Sequence, residues 1–69
     1  MFRRVASNRV VVNGKEYRQC VVEVQDGIVV NYYTFTDELP LTEWIGGLID
    51  VKRDEEGILR AYWGGKPLQ

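Results

Sequence analysis

The sequence predicts an all-β fold, a five-stranded antiparallel meander curled into a small barrel or sandwich. Two observations predict it. The dipeptides Asn13-Gly14 and Asp26-Gly27 favour two-residue hairpin turns, and each stands between stretches rich in β-branched and aromatic residues. No stretch of helical length repeats an apolar residue every three to four positions. The 69 residues are therefore expected to form one small β domain, residues 1–69.

The strands and turns follow in order along the chain. Five strands are predicted at residues 9–12, 17–24, 28–35, 48–53 and 58–63. A third turn is expected at 55–57, with glycine in the left-handed position. Residues 36–47 break the strand pattern, since Pro40 and the Gly46-Gly47 pair favour a short helical turn near residues 40–45, with Trp44 buried against the sheet. The tail at 64–69 has the composition of a frayed terminus.

The turns also predict which residues lie opposite each other. The first turn places Arg9 opposite Arg18, a like-charge pair that is unfavourable by itself. Three explanations stay open, in order of preference: Glu16 on the diagonal shares the charge, the pair binds something anionic, or the register differs. The second turn places Cys20 opposite Tyr33.

In this register both faces of the sheet are substantially apolar. A flat sheet in water would instead show one polar face. A chain of this length buries only about 60 % of the surface that its unfolded form exposes. We therefore expect the sheet to curl, to pack on a second sheet, or to pair with another chain, and we expect a homo-oligomer in solution.

Charge is segregated along the chain. Residues 1–19 hold five basic residues and one acid, whereas residues 20–51 hold six acids and no base. The preferred interpretation is that adjacent strands neutralise one another. The alternative is that a basic edge of one copy meets an acidic edge of another. The residues expected at such an interface are Arg3, Arg4, Arg9, Glu23, Tyr32 and Trp63.

The composition of the chain excludes several kinds of catalytic and metal site. The chain has no histidine and one cysteine, so it can form neither a Ser-His-Asp or Cys-His arrangement nor a zinc site of cysteine and histidine. Its acids cluster in predicted turns, and it has no glycine-rich phosphate loop. We expect no enzymatic activity, catalytic residue, cofactor or metal.

The lone Cys20 falls in the middle of a predicted strand, where a buried and unreactive thiol is expected. A single cysteine fits a reducing compartment, so a cytoplasmic location is expected. No run of 18 apolar residues predicts a membrane span.

The function that the sequence favours is a protein-interaction or self-associating module. A β-barrel that binds nucleic acid or a small ligand is the alternative, since aromatic side chains and the arginines of the first hairpin could serve it. The net charge of −1 and the acidic stretch 20–51 argue against a phosphate backbone.

Three stretches resemble a known family. They read VVVNGK at 10–15, VVEVQDGIV at 21–29 and GLIDV at 47–51. They resemble the small accessory β-domain of cyclic amidohydrolases, whose chain enters its catalytic barrel through PGLIDxHxH. Lys52 and Asp54 stand where that family has two metal-binding histidines, Gly46 replaces the proline, and the barrel is absent. The resemblance implies at most a stand-alone relic of the accessory β-sandwich, with no catalytic or metal residue carried over.

Overall fold

The computed structural model describes residues 1–37 and 41–69, which form one mixed β-sheet. Its seven strands are β1 (Phe2–Val12), β2 (Lys15–Gln25), β3 (Ile28–Thr34), β4 (Glu43–Trp44), β5 (Leu48–Arg53), β6 (Leu59–Trp63) and β7 (Lys66–Pro67). The strand order is β3-β2-β1-β5-β6-β7, with β4 beside the first half of β1. The all-β prediction is confirmed.

The predicted antiparallel meander is wrong, because the chain crosses to the other side of β1 after β3. There β4 and β5 run parallel to β1, so that β1 becomes the central strand. Within the described residues the sheet stays open and is not closed into a barrel.

The expected helical turn near residues 40–45 is wrong from residue 41 onward, and positions 38–40 lie outside the described residues. Leu41 lies in a turn, and Glu43 and Trp44 form β4 beside Val5 and Ala6. Backbone pairing with β1 therefore replaces the helical turn. In the part of the chain that the structure describes, no helix is long and apolar enough to cross a membrane.

Both dipeptide turns are confirmed. Their four residues all have positive φ, between 49° and 86°, as two-residue hairpin turns require. The first hairpin keeps the predicted register, including the pairing of Arg9 with Arg18. The predicted third turn is also present, with Gly57 at φ 80°.

The second hairpin departs from its predicted register at a β-bulge. Val30 has no partner on β2, so every pair beyond it shifts by one residue. Cys20 consequently lies opposite Thr34 and not Tyr33, and the predicted pair is wrong. The shift also exchanges the faces of two aromatic residues, placing Tyr32 on the core side and Tyr33 on the outer side.

Many of the apolar residues that simple alternation assigns to two faces share one core. In β1 the buried side chains include Val5 and Ser7, then Val10 and Val12, so the alternation slips by one residue at Asn8. The second strand slips at the facing position. The core comprises Val5, Val10, Val12, Cys20, Val22, Val24, Val29, Ile49, Val51, Ala61 and Leu68. The double slip brings Val10 and Val12 to the side of Val5, but Ala6 and Val21 are fully buried outside this core, so the expectation of two apolar faces holds in part.

The slip in β2 has a visible backbone cause. Gln19 has φ 50°, in the left-handed region that residues other than glycine rarely adopt within a strand. Cys20 on one side of it is fully buried, whereas Arg18 on the other side is exposed, like Gln19 itself. The ribbon of β1 and β2 thus changes its buried face without interruption of the pairing on either side.

Replacing Gln19 by glycine should raise the free energy of unfolding by up to about 1 kcal/mol. A left-handed residue other than glycine costs about 1–2 kcal/mol, against roughly 0.5–1 kcal/mol of extra backbone entropy for glycine. The neighbouring Arg18→Gly variant, at a position without positive φ, should lower it by about 0.5–1 kcal/mol. Urea denaturation measures both, and a loss of stability in Gln19→Gly would contradict the assigned backbone conformation.

The C-terminal segment pairs with the sheet and does not fray. Leu68 is buried in the core, and its backbone N–H donates to the Ala61 carbonyl at 2.8 Å. The prediction of a frayed tail is wrong, because the Gly64-Gly65 turn returns the chain to pair with β6. Leu68 thereby covers the end of the core.

Candidate interaction surface

The outer edge of β3 is a strand edge without a hydrogen-bonded neighbour among the described residues. β3 ends the sheet: it pairs with β2 on one side, and no described strand hydrogen-bonds to its other side, although β6 lies close to it across the curled sheet. Its sequence, IVVNYYT, contains no charged residue and no proline. Ile28, Val30 and Tyr32 are 40 %, 56 % and 37 % exposed. Natural edge strands are usually blunted by charge, proline or a bulge, and only the bulge at Val30 is present here.

The two aromatic residues predicted at an interface both lie on the core side of the sheet. Tyr32 is in β3, with its ring centroid 6.0 Å from that of Tyr17. Trp63 is in β6, 42 % exposed, and its indole N–H donates to the Gly46 carbonyl at 2.6 Å. Of the two, Tyr32 belongs to the free edge, whereas Trp63 is tied to the segment between β4 and β5.

The predicted interface arginines are paired within the chain. The ion pairs are Arg3 with Glu43 at 2.9 Å, Arg4 with Glu23 at 3.0 Å and Arg9 with Glu16 at 3.1 Å. Neutralisation between neighbouring strands, the preferred interpretation of the charge pattern, is thereby confirmed for these pairs. The sharing of charge by Glu16 is also confirmed. A contact between copies that depends on Arg3, Arg4 or Arg9 loses its support, because their acidic partners are already present.

Glu23 is the centre of a polar network on the outer face. Its carboxylate accepts hydrogen bonds from Arg4 Nε at 3.0 Å, the Tyr33 hydroxyl at 3.1 Å and Asn31 Nδ2 at 3.5 Å. Desolvation raises the pKa of Glu23, but the hydrogen bonds and the charge of Arg4 outweigh it and hold the pKa below its ordinary value. The network ties β1, β2 and β3 together, and so holds the edge strand in place.

Sequence reasoning missed an aromatic pair on the outer face. Trp44 is 51 % exposed, so its predicted burial is wrong. It lies in register with Ala6, and its ring packs edge-on against Phe35 with centroids 5.5 Å apart. The pair partly shields the outer face beside the buried Ala6 and leaves half of the indole open to solvent.

The other candidates for a chemical role are the Cys20 thiol and the possible metal ligands. The Cys20 thiol is buried, as predicted, and its burial raises the pKa, which disfavours the reactive thiolate. Among residues 1–37 and 41–69, no group of three or more cysteine and acidic side chains is placed to hold a metal ion.

Comparison with protein-family models, curated proteins and solved structures finds no match to this chain. The functional argument therefore depends on its own residues, and the resemblance to the amidohydrolase β-domain depends on the three quoted stretches alone.

Proposed function

We propose that the chain is a self-associating interaction module that dimerises by antiparallel pairing of two β3 edges. The observation that carries the proposal is the uncharged, proline-free edge of seven residues with exposed apolar side chains. Such an edge carries backbone N–H and C=O groups that another strand can pair with. Pairing would join two open sheets into one continuous sheet.

A second copy suits this edge because the contact would be self-complementary. Closed dimers use the same patch on both subunits, related by a two-fold axis. With the axis near Asn31, Val30 of one copy lies opposite Tyr32 of the other, an aromatic and β-branched pair that stabilises antiparallel strands. The absence of charge from β3 means that no like charges face each other across the axis.

Val30→Lys should convert the dimer into a monomer. The side chain is 56 % exposed, so lysine is tolerated in the single chain, but in the dimer its charge lies close to the same charge of the second copy. Leu41→Lys is the matched control, because it adds the same charge at a 92 % exposed position outside the strands. Sedimentation at micromolar concentration should show a dimer for the parent and for Leu41→Lys, and a monomer for Val30→Lys.

Circular dichroism is the control for folding, and both variants should give the spectrum of the parent. The parent dimer should persist equally at low and high salt, because β3 holds no charge. A parent that sediments at the monomer mass throughout would overturn self-association. A Val30→Lys protein that remains dimeric would place the contact elsewhere.

A further inference from the structure

A hollow on the outer face lies where the alternation of β1 and β2 slips. The slip exposes two consecutive residues on each strand, Asn8 and Arg9 on β1 and Arg18 and Gln19 on β2. Together with Glu16 they line a hollow of about 710 Å³, which we call the arginine hollow. Three residues that flank the slip, Ser7, Val10 and Cys20, are fully buried.

Two arginine side chains line the arginine hollow, and a single carboxylate is paired with them among the described residues. Arg9 and Arg18 are directly opposite each other in the register, which places like charges on one face. Glu16 accepts a hydrogen bond from Arg9 at 3.1 Å. Arg18 has no ion pair or side-chain hydrogen bond among residues 1–37 and 41–69. The hollow therefore keeps an excess of positive charge.

The other side chains of the hollow add donors rather than acids. Asn8 and Gln19 each carry an amide NH₂ group, and each guanidinium presents five N–H donors in a planar fork. Gln19 is also the strained left-handed residue of β2, and backbone strain of this kind collects at binding sites. Its conformation is what places Arg18 and Gln19 on the same side.

We propose that the arginine hollow binds the phosphate group of a small phosphorylated compound. A phosphate monoester offers three terminal oxygens and up to two negative charges, which match two guanidinium forks and two amide donors better than the two oxygens of a carboxylate. Glu16 already supplies one carboxylate to Arg9, so Arg18 is the guanidinium that lacks an anionic partner among the described residues.

The surroundings favour one phosphate over a chain of them. One step along the sheet, Val11 is flanked in register by Glu16 and Asp50, which lie on the outer face. These carboxylates would repel the next phosphate of a nucleic acid backbone, which needs a continuous basic track. The hollow therefore fits an isolated phosphate.

The test is titration of the full chain with phenyl phosphate, followed by calorimetry and by backbone amide shifts. Binding should perturb the amides around residues 8–9 and 18–19, and Arg18→Gln should weaken it by about tenfold or more, as expected for loss of hydrogen bonds to a charged group. Lys66→Gln, which removes the same charge from exposed β7, should bind as the parent does.

Benzoate at equal ionic strength supplies the carboxylate comparison, and a short single-stranded oligonucleotide supplies the polymeric phosphate. Equal binding of benzoate, stronger binding of the oligonucleotide with a steep salt dependence, or unchanged binding by Arg18→Gln would each overturn the proposal. The Val30→Lys protein should bind phenyl phosphate like the parent, because the hollow and the β3 edge are separate, so the failure of one proposal leaves the other standing.

Discussion

Ile49→Ala should remove most of the free energy of unfolding of the domain. Ile49 is fully buried in β5 and lies in register between Val10 and Trp63. Truncation of a buried isoleucine to alanine costs about 2–5 kcal/mol, and a domain of this size holds only about 3–5 kcal/mol of net stability. Urea denaturation with tryptophan fluorescence and circular dichroism measures the loss.

Leu48→Ala is the matched control for that loss. Leu48 precedes Ile49 in the same strand, points to the opposite face and is 39 % exposed. Its truncation should cost about 1 kcal/mol or less. Ile49→Val should fall between the two, at about 0.5–1.5 kcal/mol. Equal losses in Leu48→Ala and Ile49→Ala would show that β5 has no single buried face.

The local parts of the fold could be predicted from the sequence because their causes are local. Asn13-Gly14 and Asp26-Gly27 tolerate positive φ at adjacent positions, and a two-residue turn then fixes the pairing of the first hairpin residue by residue. The ion pair of Arg9 with Glu16 follows from that register. The same reasoning predicted the wrong pairing beyond Val29, because no residue type in β3 indicates a bulge at Val30.

The path of the chain after β3 could not be predicted, because it depends on contacts distant in sequence. β4 and β5 take the free side of β1 in parallel, and the buried Ser7 hydroxyl donates to the Gly47 carbonyl where they join. Once β1 accepts this second neighbour, the segment around Trp44 gains backbone pairing with it, which a helical turn could not provide.

The candidate surfaces were only partly predictable for the same reason. The opposed arginines were visible in the sequence, but the hollow exists because Asn8 and Gln19 both lie at slips of alternation. Glutamine has no special preference for positive φ, so the residue type at position 19 does not predict the slip. Tyr32, which was expected at an interface, is 37 % exposed in β3, whereas the exposure of Trp44 depends on β4.

One bridge holds the β2–β3 turn to the other end of the sheet, and it is centred on Arg60. Its Nη1 donates to the Gly27 carbonyl at 3.0 Å, and its Nε donates to Asp54 Oδ2 at 3.0 Å. Asp54 in turn accepts the backbone N–H groups of Glu56 and Ile58 at 2.8 and 3.0 Å. The bridge thus joins the β5–β6 loop to the distant hairpin.

Gly27→Val should destabilise the domain by about 3 kcal/mol. Gly27 has φ 81°, where a β-branched residue is strained by about 1–2 kcal/mol. A Cβ at this position would also lie 3.1 Å from Arg60 Nη1, so we expect the larger valine side chain to displace the guanidinium from the Gly27 carbonyl. Displacing it removes a charged hydrogen bond, which contributes about 1.5–3 kcal/mol at most.

Gly14→Val separates the two contributions, because the first hairpin turn provides the same backbone without the neighbour. Gly14 has φ 86°, and a Cβ there would meet no atom of the described residues within 4 Å. Its substitution should therefore cost only the backbone strain of about 1–2 kcal/mol. In an Arg60→Met background, the difference between the two valine variants should shrink toward zero, since the bridge is already absent. Thermal and urea unfolding of all five variants and the parent give the cycle. An undiminished difference would mean that the loss at Gly27 arises from a contact other than Arg60.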